Sequence, residues 1–174
     1  MKRLMLDLET LSTQPDAAVT AVGWAIFDTQ DVHESGRISL RYDQWVGRID
    51  AATVAWWIDR TREAQKSALC GLDTPAQVIG ELTGIAARIS GEVWANDPSF
   101  DLVILRSWWP KVTSAPFPFA FRAERSVRTV LGYAKLRGID YSAAWEGAVP
   151  HDPQSDAVCQ AKAVIIAEQA LGLT

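Results

Sequence analysis

The chain has 174 residues, 48% of them hydrophobic, with 21 acidic against 17 basic side chains and a formal charge of -4. This suits one domain, residues 1–174, with a sizeable core, and it excludes the broad basic face needed to coat nucleic acid without regard to sequence. Local contact with nucleic acid stays open, because a cluster of metal-binding acids would itself lower the charge.

Cys70 and Cys159 lie far apart in sequence, in stretches that read as helical. With no C-x-x-C partner, neither zinc nor a disulfide framework is indicated, and free thiols fit a reducing cytoplasm. The apolar residues after Met1-Lys2-Arg3 are too few for a signal segment, and no apolar run is long enough to cross a membrane. The expectation is a soluble, cytoplasmic protein.

The first strand, residues 3–9, carries Asp7 and Glu9 in an otherwise apolar run. Side chains alternate along a strand, so the two acids share a face, roughly 6.6 Å apart, while Leu4, Leu6 and Leu8 take the other. Such a pair repels itself unless a cation intervenes, and oxygen ligands on a rigid strand suit hard divalent ions such as Mg2+ or Mn2+. The spacing equally suits a strand end whose acids are simply solvated.

Residues 10–16 are turn-rich, and 19–27 form a continuous apolar run containing Gly23, read as a strand buried on both faces. Residues 37–42 alternate Ile38, Leu40 and Tyr42 with Arg37, Ser39 and Arg41, the pattern of a charge-guarded edge strand. Short loops make these three strands an antiparallel meander, and His33 falls in a turn between the second and third.

Helical spacing follows over residues 51–59, 61–69 and 74–89, the last with Thr74 as N-cap, Pro75 in its first turn and Gly91 as its stop. Residues 92–96 read as a short strand parallel to the first, since it is reached through helices. Residues 98–109 read as a helix ended by Pro110. In residues 111–124, a loop or short strand, Phe117, Phe119 and Phe121 are expected to plug the core. Ser126 caps a helix ended by Gly138, residues 141–150 form a loop or helical turn, and a final helix spans 153–171. The whole reads as α/β, a mixed five-stranded sheet with the first strand near its centre, where ligand sites form beyond strand ends. The pairs Trp56-Trp57 and Trp108-Trp109 cannot all face inward, and one of Trp56 and Trp57 must turn outward, since helix neighbours point about 100° apart.

Two further acids head helices. Asp101 opens the stripe Ile104, Leu105, Trp108, and Asp156 opens Cys159, Ala163, Ala167, Ala170, so both lie on inward-packing faces. A first-turn carboxylate also gains from the helix dipole alone. His151 precedes Asp156 on a loop; beside four acids it becomes a candidate general base, as imidazole ordinarily titrates near neutral pH.

Asp7-x-Glu9, then Asn96-Asp-Pro-Ser-Phe-Asp101, then His151-x(4)-Asp156 resembles the DEDDh branch of the DEDD 3'-5' exonucleases, with the motifs in order along the chain. The chain is similar in particular to the small phage and bacterial exoribonuclease-like group, through Leu8-Glu-Thr-Leu11, Thr53-Val-Ala-Trp-Trp57 and Val127-Arg-Thr129. The resemblance implies a ribonuclease H-like fold and two divalent cations, Mg2+ or Mn2+, on Asp7, Glu9, Asp101 and Asp156, with His151 as base. It also implies RNA favoured over DNA and a homodimer, while the acidic surface, with no broad basic channel for duplex, points to short single-stranded 3' ends as substrate. Ser12 stands where related sequences often carry glycine, and Ser126 where aspartate or cysteine is common. Asp97 and Asp152 read as solvated or supporting acids. Expected substrate contacts are Thr10, Leu11, Ser12, Phe100, Arg128 and Trp57, with Arg122 and Arg125 also able to meet phosphates. A catalytically silent binder and an internally cutting endonuclease are the rival readings.

Overall fold

A computed structural model describes residues 1–173. Its strands are β1 (Arg3–Thr10), β2 (Val19–Phe27), β3 (Val32–Ser39), β4 (Val93–Ala95) and β5 (Glu124–Ser126). Its α-helices are α1 (Ala51–Ile58), α2 (Arg62–Leu69), α3 (Pro75–Ala86), α4 (Asp101–Val112), α5 (Val127–Leu136) and α6 (Pro153–Leu171). The sheet runs β3-β2-β1-β4-β5, with β1 central. The β1–β2 and β2–β3 pairs are antiparallel, the β1–β4 and β4–β5 pairs parallel, as the meander and the helical crossover require.

The alternation of β1 divides the core. Leu4, Leu6 and Leu8 join α3 and α4 on one face, whereas Met5 meets α5 and α6 on the other, and β2 is buried along its whole length. Arg3 is buried on the α6 side, where Glu168 Oε2 accepts from Nη1 at 2.8 Å and the guanidinium lies 4.5 Å above the Phe27 ring. Among the described residues no helix is long and apolar enough to cross a membrane. Cys70 and Cys159 are free.

Several local expectations are corrected. The third strand spans residues 32–39 rather than 37–42: His33 therefore lies on β3, its ring hydrogen-bonded to Asp28, and Tyr42 enters a 3-10 turn with its ring exposed. Helix α3 ends at Ala86, three residues early. Helix α4 begins at Asp101, after a turn over residues 97–100, and continues through Pro110 to Val112. A proline this near the end forfeits one N–H bond without the helix beyond it having far to run. The tryptophan pairs do not all face inward, since Trp56 is exposed, but Trp108 and Trp109 are both buried, because the following loop folds back over α4, with Phe117 edge-on to Trp109 and Ala115 accepting from its indole N–H. In that loop Phe119 is buried and Phe117 partly so, but Phe121 is exposed. Ala170 lies outside the buried face of α6, which is wider than its expected stripe and includes Ala157, Gln160, Ala161 and Val164.

Candidate active site

The acids meet at the end of β1 because the sheet runs out there. Strand β4 pairs with β1 only as far as Leu6, opposite Ala95. The register that sends the Leu4 N–H to Glu92 leaves the Leu8 N–H beyond β4, where Asp101 Oδ1 accepts it at 3.0 Å. This bond brings the head of α4 over the sheet edge. Asp7 and Glu9 project from β1 on the α6 side, and Asp7 Oδ1 accepts from Gln160 Nε2 of α6 at 2.8 Å.

The last contributors come from the start of α6. Asp152 caps that helix by accepting from the Ser155 N–H and is held by Arg37 and Ser67. One turn on, Asp156 Oδ2 accepts from the His151 backbone N–H at 2.9 Å. His151 holds this place with φ of 62°, a left-handed backbone costing about 1 kcal/mol or more outside glycine. Its ring packs edge-on against Trp56 of α1, centroids 4.8 Å apart.

Ligand atoms of Glu9, His151 and Asp156 lie within 4.8 Å of one another. A cavity of about 530 Å³ is lined by these three together with Asp7, Asp101, Asp97, Phe100, Arg128, Trp145 and Gln160. A second, largely apolar cavity of about 660 Å³ adjoins it, sharing Leu8, Glu9 and Phe100 and walled by Thr10, Ala51, Ala52, Trp56 and Trp57.

Electrostatically the cluster is unbalanced. Burial, then the charges of Asp101 and Asp156, holds Asp7 well above the usual carboxylate range; burial, then Asp7, does the same to Glu9. Burial pushes Asp101 up to about 7 against the N–H bonds that pull it down, and burial also raises Asp156. Among the described residues no Lys or Arg pairs with any of the four. Carboxylate oxygens, desolvated and lacking a countercharge, suit hard divalent cations.

The other expected contacts are distributed unevenly. Thr10 and Phe100 line the cavities and Arg128 the acidic one, where it also bonds Asp97 Oδ2 at 3.2 Å. Trp57 is buried, its indole N–H donating to the Thr10 carbonyl, and forms only the wall, while Trp56 is the exposed member of the pair. Leu11 and Ser12 face neither cavity: Leu11 packs with Trp57, and the buried Ser12 hydroxyl donates to Asp50. Ser126 caps α5 by accepting from the Thr129 N–H. Arg125 is occupied by Glu92, and Arg122 stacks over Phe121. Sequence reasoning required one of Trp56 and Trp57 to turn outward but took Trp57 as the contact, and it missed Gln160 and Trp145, of which only Gln160 had a usable signal, its place four residues after Asp156 on the same helix face.

The family described as 3'-5' exoribonuclease Rv2179c-like domain matches residues 2–167. No curated protein sequence matches the chain. Among solved structures, the nuclease domain of 3'hExo, a DEDDh family member bound to rAMP, superposes with TM-score 0.64 at 10% identity, covering 97% of this chain and 92% of that one. Escherichia coli Exonuclease I with a dT13 oligonucleotide gives TM-score 0.67 at 14% identity over 98% of this chain and 40% of that one. Exonuclease I from Methylocaldum szegediense gives 0.71 at 13%, over 97% and 40%. The chain thus spans about two fifths of the Exonuclease I chains, and the shared fold is ribonuclease H-like.

Proposed function

The chain belongs to the 3'-5' exoribonuclease Rv2179c-like domain family, and on that footing we propose that it is a single exonuclease domain, dependent on divalent cations, that hydrolyses phosphodiester bonds at single-stranded 3' ends. RNA is the favoured substrate, Mg2+ or Mn2+ the cofactor, and a cytoplasmic homodimer the working form. The observation that carries the reading is the convergence of four uncompensated carboxylates and His151 on one cavity beside an apolar one.

Asp7, Glu9, Asp101 and Asp156 would hold the cations. When bound, two such ions supply charge that neutralises the acids, activates water and stabilises the leaving 3'-oxygen. His151 takes the proton of the attacking water at a ring nitrogen, and the bond from its backbone N–H to Asp156 fixes the loop that presents it. Phe100 stands between the cavities, placed to stack on the terminal base while the phosphate lies over the acids; such stacking is worth roughly 1–3 kcal/mol. Trp56 offers the facing aromatic surface, Thr10 lies beside the terminal sugar, and Arg128 meets a phosphate.

A 5'-labelled single-stranded oligonucleotide tests the reading: the expected product is a ladder shortening from the 3' end, abolished by EDTA. Internal fragments would signify an endonuclease and no products a silent binder, either of which overturns it. A DNA-directed exonuclease is the second reading, favoured by the dT13 complex of a structural neighbour. Rates on matched RNA and DNA oligomers at one salt concentration separate the two, because discrimination needs contacts to the 2'-hydroxyl.

A further inference from the structure

Gln160 lies one helical turn beyond Asp156 on α6, only 6% exposed. Its Nε2 donates to Asp7 Oδ1 at 2.8 Å, while its Oε1 is buried with no hydrogen-bond partner. An orphaned buried carbonyl costs about 1–3 kcal/mol. The neighbouring buried positions of α6 are Ala157, Ala161 and Val164, so an apolar side chain of similar volume would satisfy packing at this position without that cost. The amide therefore has a use that offsets it.

Asp7 is the carboxylate Gln160 touches, and it carries the repulsion of Asp101 and Asp156. Left alone it would turn away from them. A neutral N–H donor tethers one oxygen, fixes the carboxylate plane and adds no countercharge that would compete with a cation. We propose that Gln160 is a positioning residue, holding Asp7 by Oδ1 so that its second oxygen is presented to the divalent cation. The inference rests on the metal-dependent reading above.

The test titrates Mn2+ into the full chain by calorimetry without nucleic acid, for wild type, Gln160→Met and Gln160→Leu, and melts each protein metal-free. Loss of a side chain that orients a metal ligand typically lowers affinity about 10- to 100-fold. The expected result is that loss in both variants, with a metal-free melting temperature unchanged or higher because the orphaned carbonyl is gone. Hydrolysis at saturating Mn2+ should recover most of the wild-type rate. Unchanged Mn2+ affinity overturns the inference alone, and so does a loss of affinity accompanied by a lower metal-free melting temperature, which marks a packing role. A wild-type chain that takes up no Mn2+ overturns the metal-dependent reading and the inference with it.

Discussion

The backbone of Gly23 lies directly against that of Pro153: a Cβ on Gly23 would fall 1.9 Å from the Pro153 carbonyl oxygen. Gly23 is also the β2 residue paired with Asp7 across the sheet. The glycine therefore lets the first turn of α6 settle onto the sheet beside Asp7, which is what brings Asp156 and His151 to the acids of β1. Gly23→Ala should lift that turn, costing about 1–3 kcal/mol from overpacking and lowering activity well beyond what the loss of folded protein explains. Thermal melts with rates per folded molecule check this, and a variant with wild-type rate would separate α6 docking from activity.

His151 and the carboxylates should part company on mutation. His151→Ala is expected to bind Mn2+ nearly as well as wild type while turning over roughly 10²- to 10⁴-fold more slowly, the usual cost of removing a positioned base. Asp7→Asn and Asp156→Asn should lose both affinity and rate. Near-wild-type turnover in His151→Ala would remove the histidine from the mechanism.

The raised carboxyls give the metal-free protein a pH dependence of definite sign. Asp7, Glu9, Asp101 and Asp156 all keep protons that the unfolded chain has already released. Their contribution to stability is present in acid and is lost as pH rises from the ordinary carboxylate range, about 4, through about 7, where Asp101 titrates. A cation that takes the place of those protons should therefore raise the melting temperature more at about pH 8 than at about pH 5.5. An equal rise at both would mean that the cation binds elsewhere.

Far from the cavity, Arg3 and Glu168 form a buried pair, with side chains 5% and 11% exposed. Removing one partner strands a buried charge, so Glu168→Ala should destabilise by about 3–5 kcal/mol. The activity of the remaining folded protein should be unchanged. A denaturant melt showing less than about 1 kcal/mol would mean that Arg3 finds sufficient support in Glu92 and the aromatic rings it covers.

Much of this architecture was legible because it follows from local periodicity. The alternation of β1 assigns Asp7 and Glu9 to one face, the unbroken apolar run of β2 requires burial on both faces, and Ser126 announces α5 as its cap, whereas Asp152, read as a solvated or supporting acid, turns out to cap α6. What escaped depends on tertiary contact. Trp109 is buried because the loop that follows α4 turns back to cover it, and Trp56 rather than Trp57 is exposed because α1 docks with Trp57 against Thr10. Gln160 gains significance from a bond to a residue 153 positions away. Leu11 and Ser12 follow Glu9 closely in sequence, yet the turn after β1 carries them away from both cavities.

The most direct measurement of the central claim is anomalous diffraction from crystals soaked in Mn2+. The account predicts two peaks in the acidic cavity, among the carboxylates of Asp7, Glu9, Asp101 and Asp156 and roughly 3.5–4 Å apart. Crystals that hydrolyse a short oligonucleotide yet place no manganese at these four residues would contradict it.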